Sequence, residues 1–364
     1  MSKPAEIKAL SGARAFPPLI LVLYHFGEGH HYQNLFVYDA LVAKGYLWVE
    51  FFFALSGFIL THVYGGRALN YPAFLRARLA RLYPLHLAML LLMVVMLFGL
   101  RALASANGYV SIYDGPGHPV MTFWPFVASL FLVQAWNILP YLAWNGASWF
   151  VSVEFLLCLL FPLYLWLSRG AWWRGVFLIA VGLGVLRWLA LTSGHGLDLT
   201  FHNGIFRGMA GFATGVGLSM LYREMSARGW GALPQGLFTL AQVAALLLLG
   251  DAIYRTSWAH KPEDIYVAGA MALLILTLAF DRGRVARALS TAPVLKLGEW
   301  SFAIYIGQTI WLQLIHHFEQ HWYPDADPAV LWWAEPMGLL AVCVVWGALL
   351  ATFVETPANR RLRR

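Results

Sequence analysis

Charged side chains are scarce in this sequence. Only 12% of its 364 residues are Asp, Glu, Lys or Arg, whereas about a quarter is usual in soluble domains. Apolar residues make up 60% of the chain, so a water-soluble globule and a disordered chain are both excluded. Cysteine is also rare, because the chain has only two and both lie inside apolar runs. A disulfide framework and cysteine chemistry are therefore not indicated.

The apolar residues come in runs long enough to cross a bilayer. A hydrocarbon core of about 30 Å needs roughly 20 helical residues. Eleven runs are candidate spans: 12–26, 45–64, 79–100, 123–139, 148–167, 176–191, 205–221, 237–254, 265–280, 297–315 and 330–354. No small-residue cleavage site follows the first run, so we expect it to be a retained span and not a signal sequence.

Basic residues predict the sidedness of these spans, because short cytoplasmic loops accumulate Lys and Arg. Basic clusters occur at 3–14, 67–81, 169–174, 223–228, 282–296 and 360–364. Eleven full crossings would place some of these clusters outside, whereas ten keep them on one side. Run 123–139 follows a Gly/Pro-rich stretch and precedes an uncharged loop, so we expect a partial or re-entrant helix there.

The predicted fold is an all-α polytopic membrane protein with about 10 transmembrane helices, one partial helix and both termini in the cytoplasm. We expect a single membrane-embedded domain over residues 1–364, without a fused soluble domain. The net charge of +7 is spread over the loops, which indicates topology and not a nucleic-acid partner.

Ionisable residues inside spans are costly, so each is a candidate functional residue. Arg14 and His25 lie eleven residues apart in the first run, about 16 Å along a helix. Arg14 is then near the cytoplasmic face and His25 in the outer half, with a kink expected at Pro17 and Pro18. His25 is a candidate general base, although an interfacial histidine bonded to a neighbour explains it equally well.

Three further groups of polar residues occur in the apolar runs. Arg78 and Arg81 share a helix face at the start of the third run, where they either anchor the span by the positive-inside rule or clamp a phosphate. Glu50 precedes the small residues Ser56 and Gly57, which permit close helix packing. Glu154 is predicted at the depth of His25, so we expect it to orient the imidazole and set its tautomer.

Several patches, in order, resemble the acyltransferase type 3 family of integral membrane O-acyltransferases. Arg14 to His25 resembles the family's Arg-x10-His, and 48–58 resembles its Gly-Val-Asp-x-Phe-Phe-x-Leu-Ser-Gly-Phe block, with Glu50 replacing the usual Asp. Segment 78–84 resembles Arg-x-x-Arg-(Ile/Leu)-x-Pro, and 149–154 resembles Trp-Ser-Leu-Ser-Val-Glu.

The later patches extend this resemblance almost to the end of the chain. Segments 206–215, 297–305 and 355–357 are similar to the family's Phe-Arg…Phe…Gly, Leu-Gly-x-x-Ser-Tyr-x-x-Tyr and Glu-x-Pro stretches. Two positions depart from the pattern. Gln308 stands where the family usually has histidine, so no proton-transfer role is assigned there. Phe150 replaces a frequent serine and offers no side-chain hydrogen bond.

The resemblance implies transfer of an acyl group, commonly acetyl, from cytoplasmic acyl-CoA to a hydroxyl of a sugar, a cell-envelope or exported glycan, or a related acceptor. It implies a multi-pass protein of the inner (plasma) membrane that modifies polysaccharides or similar molecules by O-acetylation. We expect acetyl-CoA as donor co-substrate and no metal. A homo-oligomer is left open, as is the choice between direct transfer and an acyl-histidine intermediate.

The resemblance also suggests roles for individual residues. The predicted catalytic residues are His25, Glu154 and Arg14, and the guanidinium groups of Arg14, Arg78 and Arg81 suit the CoA phosphates. Support for the substrate or the site is expected from a larger set, namely Glu50, Ser56, Gly57, Trp149, Ser152, Arg207 and Tyr305.

Two alternative functions are open on the residues alone. A secondary transporter or flippase of a glycan or lipid precursor would also carry charged residues and interrupted helices within its spans. A metal site is conceivable at His30 and His31, or at His316, His317, Glu319 and His321. Adjacent helical histidines point about 100° apart, although His317 and His321 share a face, and we interpret both groups as parts of external loops.

Overall fold

The computed structural model describes residues 5–27, 42–103, 121–256, 262–322 and 334–362. Within these ranges the chain is helical and contains no β-strand. In chain order the helices are α1 Lys8–Ala13, α2 Phe16–Gly27, α3 Trp48–Tyr64, α4 Tyr71–Leu103, α5 Phe123–Leu130, α6 Ser148–Leu167, α7 Trp172–Thr192, α8 Gly204–Ala227, α9 Gln235–Thr256, α10 Asp264–Leu278, α11 Arg284–Leu289, α12 Ala292–Trp322, α13 Ala334–Leu350 and α14 Thr356–Leu362. The loop histidines His30 and His31 lie outside the described residues.

Six helical segments of the described chain are long and apolar enough to cross a membrane. They are Gly45–Tyr64, Tyr71–Gly99, Ser148–Leu167, Trp172–Thr192, Gln235–Thr256 and Glu335–Leu362. Asp264–Leu278 is a shorter apolar helix. The protein is therefore an all-helical, multi-pass membrane protein. The count of ten crossings and the cytoplasmic location of both termini stay predictions.

The first apolar run forms two helices and not one continuous span. Helix α1 ends at Ala13 and α2 begins at Phe16, so Arg14 lies in the turn between them. Pro17 and Pro18 occupy the first turn of α2, where a missing backbone N–H group leaves no helical hydrogen bond unmade. The expected distortion therefore precedes the two prolines.

The segment expected to be a partial helix has only one short helix. Phe123–Leu130 contains eight residues, about 12 Å of helix and too little to cross the hydrocarbon core. The helix ends before Leu132, which has a left-handed φ of 59°. Ser152 of α6 holds the following chain, because its hydroxyl donates to the Leu132 carbonyl oxygen at 2.8 Å and accepts from the Ala135 N–H at 3.2 Å.

Close contacts between backbones hold the central helices together. A Cβ atom on Gly57 of α3 would overlap the carbonyl oxygen of Phe212 in α8, and one on Gly215 would overlap that of Ala54. Small residues of this kind let membrane helices approach closely. The predicted packing role of Gly57 therefore has a defined partner in α8.

Helix α12 packs first on α1 and then on α2. Its Gly298 packs on the backbone of Ser11. Further along the same direction, Ile304 and Leu312 share an apolar cluster with Val22 and Phe26 of α2. The two helices therefore remain side by side as they run from the Arg14 turn towards His25.

Candidate active site

A cavity of about 150 Å³ opens between the Arg14 turn and helices α3, α4, α6 and α12. Its apolar wall includes Phe52 and Phe150. Its polar lining comprises Arg14, Ser56, Arg78, Arg81, Glu154, Ser301 and Tyr305. Six residues that the sequence had marked as candidates thus line one cavity, although they come from five separate segments of the chain.

An ion pair between α4 and α6 crosses the wall of this cavity. Arg78 Nη2 lies 2.7 Å from Glu154 Oε1, and only 4% of the Glu154 side chain is exposed. The Ser56 hydroxyl donates to the same oxygen at 2.5 Å, and Arg78 Nε donates to Cys158 Sγ at 3.4 Å. A carboxylate in an apolar interior needs such partners, because desolvating an unpaired charge is costly.

Glu154 has a different partner from the one its depth suggested. Its Oε1 atom is occupied by Arg78 and Ser56, and its Oε2 atom has no hydrogen-bond partner among the described residues. The carboxylate therefore orients a guanidinium group and a hydroxyl. Its predicted action on His25 has no direct contact to support it.

Positive charge is in excess at this end of the cavity. Arg14 interacts electrostatically with Arg78 and Arg81, and with the carboxylates of Glu154 and Glu355. Three guanidinium groups therefore face two carboxylates, which leaves a net charge of about +1. Guanidinium groups bind phosphates through paired hydrogen bonds, so this arrangement suits an anionic ligand.

Glu355 is a site residue that the sequence analysis did not single out. It lies at the end of a π-helical turn, Ala351–Glu355, and its side chain is largely buried. Such turns occur frequently at functional sites. The signal available in the sequence was the Glu-x-Pro patch, which places a carboxylate at the end of the last apolar run.

His25 lies away from the arginines. It occupies the last turn of α2, about 14 Å along the helix from Phe16, and is half-buried. Its ring contacts Tyr24, with 5.0 Å between ring centroids, and Tyr24 in turn contacts Tyr46 just before α3. His25 does not line the 150 Å³ cavity. Arg14 and His25 thus lie towards opposite ends of α2, as their spacing predicted.

Glu50 and Arg207 form a second buried ion pair, which lies outside the cavity. Arg207 Nε donates to Glu50 Oε1 at 2.5 Å. The same guanidinium group donates to the carbonyl oxygens of Leu199 at 3.0 Å and Tyr46 at 2.7 Å, and the Trp149 ring covers it at 5.7 Å. Glu50, Arg207 and Trp149 therefore hold α3, α6 and α8 together near the His25 end.

A third buried ion pair was missed from the sequence. Lys44 Nζ lies 2.7 Å from Asp264 Oδ1, and both side chains are at most 1% exposed. Asp264 also accepts from the Tyr46 hydroxyl at 2.6 Å and from the Leu197 N–H at 3.1 Å. Both charged residues stand at the edges of apolar runs, where they resemble ordinary loop residues.

Metal-binding groups are not found in the described part of the chain. No cluster of three or more His, Cys, Asp or Glu side chains there has a geometry that could hold an ion. The side chain of His321 lies outside what the structure describes.

Comparisons with known proteins cover nearly the whole chain. The model of the acyltransferase type 3 family, described as an acyltransferase domain, matches residues 7–353. "Acyltransferase MdmB" from Streptomyces mycarofaciens is 28% identical over 389 residues, which cover 99% of this chain and 93% of that protein. "Protein 2 in picA locus" from Rhizobium radiobacter is 40% identical over 96 residues, 25% of this chain and 46% of that protein. No solved structure matches.

Proposed function

Because the chain belongs to the acyltransferase type 3 family, we propose that it moves an acetyl group from acetyl-CoA to a hydroxyl of a sugar or related acceptor. The family and the acyltransferase relative make the protein an enzyme that transfers acyl groups other than amino-acyl groups. The identities of the donor and the acceptor are our proposal. We also propose that the protein lies in the plasma membrane and binds the donor on the cytoplasmic side. Modification of an envelope or exported glycan fits such a location.

The convergence of Arg14, Arg78 and Arg81 on one cavity is the observation that carries this proposal. Coenzyme A has a pyrophosphate and a ribose phosphate, and guanidinium groups bind both kinds of group through paired hydrogen bonds. The cavity volume of about 150 Å³ is too small for the whole cofactor. It suits the thioester end, with the nucleotide held at the basic mouth.

Aromatic rings provide a dry environment for the acyl group. The Tyr305 ring centroid lies 6.4 Å from that of Phe52 and 5.6 Å from that of Phe150. These rings line the cavity beside the charged groups. Exclusion of water favours attack by the acceptor hydroxyl and limits hydrolysis of the thioester.

The proposed reaction is a direct transfer. The acceptor oxygen forms a bond to the thioester carbonyl carbon while its proton passes to the imidazole of His25. The acyl carbon therefore reaches past Tyr305 to the level of His25, where the carbonyl oxygen takes the negative charge of the tetrahedral intermediate. Arg14, about 16 Å away along the helix axis, holds the phosphates of the donor. The C–S bond then breaks, and the sulfur takes a proton and leaves as free coenzyme A. Since His25 and Arg14 lie towards opposite ends of α2, the two substrates approach from opposite sides.

The roles of the support residues follow from their contacts. Ser56 and Glu154 set the position of Arg78, and Tyr305 shapes the acyl pocket. The helices around the site are held together by a further group of residues, namely Gly57, Ser152, Trp149, Glu50 and Arg207. None of these roles requires a metal.

A single experiment separates acyl transfer from transport. The purified full-length protein in nanodiscs is incubated with isotope-labelled acetyl-CoA and a panel of glycans, and both products are measured by mass spectrometry. We expect labelled ester on the acceptor and free coenzyme A in equal amounts. A transporter or flippase would leave the thioester intact, and that result would contradict the proposal.

A further inference from the structure

A stripe of polar residues on α12 continues beyond the cavity. Ser301, Tyr305 and Gln308 are spaced four and three residues apart, so they share one face of the helix. Ser301 and Tyr305 line the cavity. Gln308 is the next residue of this face, about 4.5 Å further along the helix axis. The stripe therefore leads from the arginine end of the cavity towards the other end of the bundle.

Gln308 is fully buried and yet makes no hydrogen bond in the described part of the chain. Its exposed fraction is 0%, and neither Nε2 nor Oε1 has a partner there. A primary amide offers two donor hydrogens and an acceptor oxygen. Leaving such groups unpaired in the interior is costly, so native proteins almost always satisfy them. The vacant bonding positions indicate that a polar molecule supplies the partner.

The neighbouring polar side chain shows that the interior is otherwise well paired. Thr309 donates to Asn145 Oδ1 at 2.8 Å, and Asn145 Nδ2 donates to the Ile306 carbonyl oxygen at 2.8 Å. These bonds join α12 to the chain just before α6. Gln308 is next to this network in sequence and takes no part in it.

Gln308 also lies between the cavity and the predicted general base. Gln308 lies between Ile304 and Leu312 of α12, two residues that share an apolar cluster with Val22 and Phe26 of α2, so its level corresponds to the stretch that begins at Val22. His25 is about one turn beyond that level. A molecule that reached from His25 to the thioester would pass the amide of Gln308.

Most charged side chains that the structure describes near the His25 end have partners within the protein. Glu50 pairs with Arg207, and Lys44 pairs with Asp264. Asp198 at the same end is 3.4 Å from the Tyr24 hydroxyl, which donates to its Oδ2 atom, so each of these three carboxylates is held by a group of the protein. The unpaired groups along the α12 stripe are an amide and the Ser301 hydroxyl, which are uncharged.

We propose that the Gln308 amide binds the acceptor and that the acceptor is an uncharged, polyhydroxylated molecule such as a neutral glycoside. This inference rests on the proposed function. The amide oxygen accepts a hydrogen bond from one hydroxyl, and the amide nitrogen donates to a second oxygen. The adjacent hydroxyl is thereby held for loss of its proton to His25 and attack on the thioester.

The test compares three probe acceptors that differ mainly in charge. Full-length protein in nanodiscs is given labelled acetyl-CoA with methyl glucoside, methyl glucuronide or glucosamine, and products are quantified by mass spectrometry. We expect the neutral glucoside to be acetylated at least about 10-fold faster than the anionic and cationic probes. A charged probe would lose its hydration in a site that offers only uncharged hydrogen-bonding groups, and this desolvation weakens its binding. Equal rates, or faster acetylation of a charged probe, would overturn the neutral-acceptor assignment.

The residue itself is tested by Gln308→Met, which keeps the length of the side chain and removes the amide. We expect kcat/KM for methyl glucoside to fall about 10- to 100-fold, with unchanged thioester hydrolysis in the absence of acceptor. Ser219→Ala is the matched control, because Ser219 is buried with an unpaired hydroxyl but does not line the cavity. Gln308→Leu replaces the methionine variant if the latter does not accumulate.

The outcomes separate this inference from the proposed function. Unchanged kcat/KM in Gln308→Met would show that the amide binds only water, and would overturn the inference. So would an equal loss of thioester hydrolysis, which indicates a structural role. Hydrolysis of acetyl-CoA without acetylation of any glycoside would also overturn the inference about the acceptor. The protein would still be an enzyme that cleaves a thioester. Loss of both activities in the wild-type protein would contradict the proposed function itself.

Discussion

Arg78 and Glu154 join α4 to α6 through a 2.7 Å ion pair in the wall of the cavity. The two residues are 76 positions apart in the chain. Their pairing fixes one guanidinium group at the edge of the proposed donor site. It also explains why a carboxylate can be buried within an apolar run.

Glu154→Gln is expected to lower both stability and donor affinity. The substitution leaves Arg78 without a charged partner in a mostly buried position, a change that typically costs about 3–5 kcal/mol. The thermal unfolding midpoint in detergent should fall by several degrees, and the KM for acetyl-CoA should rise. Glu224→Gln is the control, since Glu224 forms a more exposed pair with Arg228, four residues later at the end of α8. Equal midpoints for the two variants would contradict the structural role of the buried pair.

Arg81→Ala is expected to raise the KM for acetyl-CoA about 10-fold or more, because a charge-assisted contact to phosphate is lost. Arg76→Ala is a closely matched control. Arg76 lies five residues earlier in α4, is exposed, and lines a separate groove. Steady-state kinetics with varied acetyl-CoA would measure the difference. If both variants have the same donor KM as the wild type, Arg81 does not bind the donor.

His25→Ala is expected to abolish transfer without affecting membrane insertion. Removal of a general base usually costs about 10²- to 10⁴-fold in rate. His62→Ala serves as the comparison, because His62 is half-buried and packs on the rings of Phe58 and Tyr222. Mass analysis of acetylated acceptor gives the rate, and size-exclusion elution shows whether each variant folds. Transfer at the wild-type rate by the alanine variant would remove His25 from the mechanism.

Gly57→Ala is expected to disrupt the packing of α3 against α8. The added Cβ atom would overlap the Phe212 carbonyl oxygen, and backbone atoms cannot move aside as side chains do. We expect a sharply lower thermal midpoint or loss of folded protein. Gly66→Ala is the control, since no atom lies within 4 Å of a Cβ placed there. A stable, active Gly57→Ala variant would show that the two helices are not packed this closely.

The predicted topology is tested by reporter fusions. An enzyme reporter fused after Arg364 should be active in the cytoplasm, because the terminal basic cluster follows the positive-inside rule. Gly196 lies in the loop between the runs 176–191 and 205–221, which the ten-crossing arrangement places outside. The same reporter inserted there should show the opposite location. An external signal from the terminal fusion would contradict the ten-crossing arrangement.

Residues of the site were recognised from the sequence more readily than their partners. Arg14, Ser56, Arg78 and Glu154 stood out because polar groups are costly within apolar runs. Their meeting in one cavity depended on packing between separate helices. Glu154 was matched with His25 on depth alone, and depth does not specify which side of a helix faces which neighbour.

Other features of the structure had weaker local signals. Lys44 and Asp264 lie at the edges of apolar runs, so nothing in their surroundings indicated burial. The turn at Arg14 was displaced from the two prolines that suggested it, since proline fits the first turn of a helix. Glu355 was visible only as part of a short patch near the end of the chain.

The membrane character, the helical class and the family are consequences of the sequence itself. Composition and run length determine which segments avoid water, and ordered motifs identify relatives. Only the tertiary structure decided three other features. They are the pairing of Arg78 with Glu154, the position of His25 outside the arginine-lined cavity, and the unpaired amide of Gln308. They depend on the rotation and register of neighbouring helices, which are set by contacts between residues far apart in the chain.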